Sequence, residues 1–193
     1  MKITYKSQLF TGNDLQGENY TDCIFSACRF SGAHLRFTNF TNCEFKACDF
    51  SGVDFDITGF ENCHFAESKL SYLDFAPTQI KACSFSKSVL QSSVFQSLKP
   101  GEEHIRQSLD LRSCEFKETD LSGAVFAFCN LQKVSFELSN LEKVIFDKCN
   151  LVKANFVQAK IAGANFESSS LSETILDLDG FLVYGTSKGF ILP

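Results

Sequence analysis

The chain has 193 residues, with 23 Asp and Glu against 18 Lys and Arg and a net charge of −5. That length supports one domain with a sizeable core, and the acidic balance disfavours direct nucleic-acid binding, which needs clustered Lys and Arg against phosphate. It holds 22 Phe but no Trp and one Met, as expected of a core in which one cavity shape recurs.

Residues 1–9 carry no apolar signal-like run, so no secretory leader is expected. No stretch of 18 apolar residues occurs, so no membrane span is expected; the expected location is cytoplasmic. Ile3 and Tyr5 alternate with polar residues, as in a short capping strand.

From Phe10 every fifth residue is large and apolar: Phe10, Leu15, Tyr20, Phe25, Phe30, Leu35, and so on without a gap to Phe95. A period of five belongs to neither a helix nor a flat strand, and a strict repeat sets the fold. The residue two before each centre is mostly small. All nine Cys occupy this site (Cys23, Cys28, Cys43, Cys48, Cys63, Cys83, Cys114, Cys129 and Cys149), and none forms a Cys-x-x-Cys. They read as free, buried small hydrophobes rather than disulfide or metal ligands, which points to a reducing compartment. No cofactor is expected.

The repeat breaks between Gln96 and Asp110, around a Pro100-Gly101 turn signal. It resumes in a shifted register from Leu111 to Leu176, with Phe181 as a last, degenerate centre. If four pentapeptides make one turn, residues twenty apart stack. Counting the break as an eleven-residue insertion continues the column Phe25, Phe45, Phe65, Phe85 into Phe116, Phe136 and Phe156. The chain therefore reads as one solenoid over 1–176, with an N-terminal cap at about 1–9 and a loop at about 97–107. The loop mixes charge with apolar side chains: Leu98, Glu102, Glu103, His104, Ile105 and Arg106. That mixture suits protein contact; a tolerated insertion is the alternative.

Residues 177–193 differ in kind. Two apolar runs, Phe181, Leu182, Val183, Tyr184 and Phe190, Ile191, Leu192, flank a Gly-containing turn, and a hairpin is expected. It either caps the last turn or joins two chains.

Catalytic constellations find no support. His34 and His64 fall on opposite faces of a four-sided rod and His104 lies in the loop, so no triad assembles; no Gly-rich phosphate loop is present. Asp14, Asp54, Asp56 and Asp74 fall on one face together with Arg36. Such a face either presents regular negative charge, as a nucleic acid does, or is simply solvated.

The tandem small-x-[Leu/Phe]-x-x pattern, with segments such as Ala33-His34-Leu35, Ala154-Asn155-Phe156 and Ala164-Asn165-Phe166, resembles the pentapeptide-repeat family. The resemblance implies an all-β fold, a right-handed quadrilateral β-helix. Within the family the chain is similar to the topoisomerase-protecting members, the Qnr-type and immunity-type proteins. That likeness implies a non-enzymatic DNA mimic that binds DNA gyrase or topoisomerase IV, protects it from quinolones or a related toxin, and dimerises through its C-terminal end. The chain has one clear loop where many Qnr-type members have two, and its tail is shorter than theirs. A structural or protein-interaction scaffold with an unrelated partner is the alternative reading.

Overall fold

The computed structural model describes residues 2–97 and 108–191. Short parallel strands stack coil on coil into a right-handed, four-sided β-helix, with one α-helix at the C-terminal end. Partners lie twenty residues apart, as in Phe25↔Phe45 and Phe40↔Phe60. Across the insertion they lie thirty-one apart, as in Phe95↔Phe126 and Ser84↔Glu115. The eleven-residue count therefore holds, and the two repeat blocks form one solenoid.

Each five-residue step gives one side of the square. The centre points inward, and the large side chains at this site are almost wholly buried from Phe25 to Leu151. On the first face Tyr5, Phe25, Phe45, Phe65, Phe85, Phe116, Phe136 and Phe156 stack with ring centroids 4.8–5.5 Å apart. On the opposite, third face Phe55, Phe75, Phe95, Phe126, Phe146 and Phe166 do the same at 4.6–5.3 Å. The two columns meet edge to face, as Phe116 meets Phe126 at 5.7 Å and 89°. Offset stacking along the column and edge contacts across it are the two arrangements that the ring quadrupole favours. The second and fourth faces fill the remaining space with Phe in the early coils and Leu later, as at Leu121, Leu131, Leu141 and Leu151.

The small inward site does more than avoid a clash. In most coils its hydroxyl or thiol donates to the backbone carbonyl of a centre one coil back; Thr78 and Ser88 donate to Phe75 O and Phe85 O of their own coil. Thr38 Oγ1 donates to Leu15 O at 2.7 Å, Ser93 Oγ to Leu70 O at 2.7 Å and Cys63 Sγ to Phe40 O at 3.3 Å. Across the insertion Thr119 Oγ1 reaches Phe85 O at 2.8 Å. Among the described residues no buried side-chain polar atom lacks a partner, as a dry core requires.

The corner lies two residues after each centre, and there the backbone enters the left-handed region at Ala27, Asn42, Lys87 and Lys133, among others. Residues with a Cβ disfavour this conformation. The corner amide offsets part of the cost by bonding the next coil, as Ala27 N–H does to Lys46 O at 2.8 Å.

Three expectations change at the ends. Strand Ile3–Lys6 pairs with Cys23–Ser26, and Tyr5 is itself a repeat centre stacked on Phe25, so the N-terminal cap is the first rung of the solenoid. The hairpin expected over 177–193 is replaced by helix α1, Leu178–Ser187. Asp177 caps it by accepting from Gly180 N at 2.8 Å, which is the preferred N-cap chemistry; this signal outweighs the β-propensity of Phe181–Tyr184. Phe181 is then a helix residue, 63% exposed, and not a repeat centre. The outward Asn130 and Asn150 each accept a backbone N–H two residues on. Stacked amides occur at Asn39–Asn19 and Asn62–Asn42.

Phe65 lies between Phe45 and Phe85 with no exposure, whereas Phe37 is 45% exposed. Phe65→Ala should cost about 3–5 kcal/mol in urea melts, and Phe37→Ala about 0.5 kcal/mol or less. Equal losses would mean that the register is wrong.

All nine cysteines are free and buried. Burial pushes the thiols of Cys48 and Cys114 up to about 12, so these two hold little thiolate, the reactive form, at neutral pH; Cys43, Cys83 and Cys149 are shifted down by hydrogen bonds from neighbouring thiols, and what shields them is burial. Titration with a disulfide reagent should find few reactive thiols in the native protein and nine after unfolding. Full reaction of the folded chain would contradict this packing.

Candidate functional site

Among the described residues no His, Cys, Asp and Glu group could hold a metal ion. What the outer surface offers is a face, the foot of an insertion and an end.

The acidic face is the third one. Strands His34–Arg36 and Asp54–Asp56 pair in register, which sets His34 beside Asp54 and Arg36 beside Asp56. His34 Nδ1 lies 3.4 Å from Asp54 Oδ2, and Arg36 Nε 2.8 Å from Asp56 Oδ2. Both pairs are exposed, so each contributes little to stability, but each offsets negative charge. Asp14 and Asp74 are handled differently: their carboxylates accept local backbone amides, from Thr11 at 2.8 Å and from Ala76 at 2.8 Å. The four acids thus share one face, as the sequence suggests, while two of them stand beside a basic side chain.

Leu98, Glu102, Glu103, His104, Ile105 and Arg106 of the insertion lie outside the described residues, as does Leu192. The insertion leaves from Ser97 and returns at Ser108, and both border a cavity of 580 Å³ with Ile57, Pro77, Ile80 and Leu109. Beside it Arg112 clamps Asp110, Nε to Oδ1 at 2.9 Å and Nη2 to Oδ2 at 2.7 Å. Those hydrogen bonds hold the Asp110 carboxyl below its ordinary range.

The corner that leads to Ser97 carries Phe37 and Ile57, 45% and 52% exposed, both at positive φ. Ile57 is β-branched, so neither solvation nor backbone favours it there. Sequence reasoning missed Ile57; its signal is a β-branched residue at a corner, the one such residue among the described positions of positive φ. The Arg36 guanidinium sits 4.9 Å from the Phe37 ring centroid, within cation–π range.

At the C-terminal end α1 lies over the last coil. Tyr184 is half-buried, with its ring 5.9 Å from that of Phe166. Leu182 is half-buried, whereas Phe181, Phe190 and Ile191 are exposed, with Val183 at 40%. An apolar cavity of 290 Å³ lies beneath, lined by Phe156, Phe166, Leu171, Leu176, Phe181 and Tyr184. The helix therefore covers the last coil incompletely.

Asp177 accepts from both Gly180 N and Gln158 N, and these hydrogen bonds hold its carboxyl below the ordinary range. A depressed pKa means that the cap is fully formed above the ordinary carboxylate range and is lost as pH falls through the lowered value. Circular dichroism should report loss of helical signal below about pH 4. Asp177→Ala should lack that signal at neutral pH as well; a helical signal unchanged by the substitution would remove Asp177 as the cap.

Two family profiles match the chain: a pentapeptide repeat region over residues 38–100, and pentapeptide repeats over 109–142 and 139–177. Comparison with curated proteins yields no significant match. Among solved structures, a trypsin-treated variant of QnrB1, described as a plasmid-mediated fluoroquinolone resistance protein, is 19% identical over 100% of both chains with a TM-score of 0.65. A second trypsin-treated QnrB1 variant is 19% identical over 100% of this chain and 98% of that one, with a TM-score of 0.52.

Proposed function

The chain belongs to the pentapeptide-repeat family, and on that premise we propose that it is a cytoplasmic, non-enzymatic protein that binds a type II topoisomerase, DNA gyrase or topoisomerase IV, and protects it from a quinolone or a related toxin. The observation that carries this reading is the third face, where Asp14, Asp54, Asp56 and Asp74 share one side of a rod of regularly stacked coils. A protein surface built for nucleic acid would meet it as a row of fixed negative charge. The resemblance in fold to a fluoroquinolone resistance protein supports the same reading.

Magnitudes limit what charge can do alone. Duplex DNA carries one negative charge per about 1.7 Å of axis, whereas coils repeat about every 4.8 Å. Arg36 and His34 thin the charge further. Mimicry by carboxylates is therefore partial, and the rest of the affinity falls to the insertion, a rigid scaffold's usual place for function, and to the exposed apolar corner at Phe37 and Ile57. We assign Leu98, Glu102, Glu103, His104, Ile105 and Arg106 to partner contact on this reading. The rod itself does not bind nucleic acid.

The same proposal includes a homodimer. Phe181, Val183, Phe190 and Ile191 are exposed at one end, and Phe181 lines the apolar cavity there; a second copy would cover them. Sedimentation should give twice the 21.5 kDa chain mass, and Phe181→Glu with Ile191→Glu should give a monomer. A wild-type monomer at all concentrations removes this part alone.

A second reading, a scaffold with an unrelated protein partner, draws on the exposed apolar residues, since Phe37 and Ile57 suit many protein surfaces. Supercoiling by purified gyrase, with and without a quinolone, separates the two. The first reading expects the protein to restore supercoiling in the presence of drug. It also expects deletion of 97–107 to leave folding intact, because the Phe column closes up in register, and to raise the protective concentration about tenfold, a loss of about 1.4 kcal/mol. No effect of the intact protein on either enzyme would leave the scaffold reading; full protection by the shortened chain would take the insertion out of the mechanism.

A further inference from the structure

The residue before each centre points outward, and its copies on successive coils form one column per face. A solvated sheet surface favours polar side chains there. The fourth face carries Asn39, Gly59, Gln79 and Asp110 in this column, and the second carries Asp49, Lys69, Val89 and Asp120. The third face departs from this. Val94, Val125 and Ile145 follow one another on three consecutive coils, in register. Among the described residues no other column at this position holds two large apolar residues in succession. Strand propensity does not account for them, because Asn19–Thr21 and Asn39–Thr41 pair in the same way with Asn at that position.

Ile145 is 42% exposed, and Val94 and Val125 are half-buried. Small residues keep the ground beside this strip low, with Ala76 and Ala127 on one side and Ser92 and Gly123 on the other. The backbone beneath is committed: Val94 N–H bonds Leu73 O, Val125 N–H bonds Ser93 O and Ile145 N–H bonds Ala124 O, each at 2.9 Å. A partner strand therefore finds no free edge, and the strip offers side chains only. The face is one pentapeptide wide, so an elongated partner gains contact only by lying along the rod. An α-helix suits that direction. Its turn rises about 5.4 Å against about 4.8 Å per coil, so from Val94 to Ile145 the two drift apart by only about 1.2 Å. Charge distinguishes the two ends of the strip. The two coils before Val94 carry Asp74 and Asp54, both exposed. The Asp74 carboxylate accepts the Ala76 amide and, among the described residues, meets no basic side chain. Beyond Ile145 the column continues with Asn165, and Lys143 and Lys148 stand at the corners beside Asp147.

We propose that the third face docks an amphipathic helix of a partner protein, apolar over Val94, Val125 and Ile145 and basic over Asp74 and Asp54. One helical turn meets each coil, and a helix that spans the five coils is about 19 Å long, or about 13 residues. Burial of the apolar strip supplies affinity, and the acids at one end set which way the helix lies. The proposal rests on the third face being the contact surface of the reading above, and not on the partner being a topoisomerase.

The probe is a fluorescein-labelled synthetic helix of about 14 residues, with Leu at i, i+4 and i+7 and Lys on the turn before them. A scrambled peptide of the same composition is its control. Fluorescence anisotropy with the full chain should show the helix binding at least about tenfold more tightly than the scrambled peptide. Val125→Asp should weaken the helix at least about tenfold, because it sets a charge against the apolar strip. Val89→Asp, equally half-buried but on the second face, should leave binding unchanged; urea melts check that both variants fold. Asp54→Asn with Asp74→Asn should weaken binding about threefold and flatten its salt dependence. A solvent-sensitive dye on Ile145→Cys, where the native thiols are buried, should shift to the blue as the helix binds, and one on Val89→Cys should not. This measurement serves even if Val125→Asp fails to fold. Absence of binding, equal binding of the two peptides, or binding indifferent to Val125→Asp with no dye shift at Ile145 would each overturn the proposal. Self-association that Val125→Asp abolishes, without peptide binding, would give the strip to a second copy and overturn it too. No topoisomerase is present, so the result stands apart from the supercoiling assay.

Discussion

Everything in this molecule depends on two stacks having one spacing. Parallel strands hydrogen-bond about 4.8 Å apart, and the Phe rings of the first and third columns stack at 4.6–5.5 Å. A ring at each centre can therefore repeat coil after coil without straining the ladder that carries it. Burial of each centre and satisfaction of each coil's backbone come from the same neighbours, so no pentapeptide is stable by itself and each is stable in the stack. The small inward site closes the arrangement by giving a hydroxyl or thiol to the carbonyl one coil back.

The corners carry the cost of this arrangement. They need left-handed backbone, and the chain uses Ala, Lys, Asn and even Ile57 there. The strain persists because coils on both sides over-determine it. Among the described residues the ladder lapses at two places: on the third face above Asp54–Asp56, where the Phe55–Phe75 rings also tilt by 35°, and on the fourth face between Thr78–Lys81 and Leu109–Asp110.

A rod of this kind presents four faces and the corners between them. The inward side chains are committed to packing, and the nine thiols are buried, with no metal-binding group among the described residues. What is left for function is the pattern of outward residues, and those are the positions the fold constrains least. Asp54 and Asp74 could be exchanged for Asn with little effect on the core, since both lie on the outer surface.

The sequence alone determined the architecture, because the rule is local: a large centre every five residues with a small residue two before it. It also determined the eleven-residue insertion, since only that count keeps Phe85 between Phe65 and Phe116. Tertiary structure decided the rest for reasons that no window of sequence contains. Whether Asp56 is free or paired depends on Arg36, twenty residues away, being its lateral neighbour. Whether Phe181–Tyr184 is strand or helix depends on the Asp177 cap and on the end of the last coil, where no further rung offers hydrogen bonds to a strand. The break in the fourth face lies between Thr78–Lys81 and Leu109–Asp110. That break is a relation between two coils, and it appears only once they are stacked.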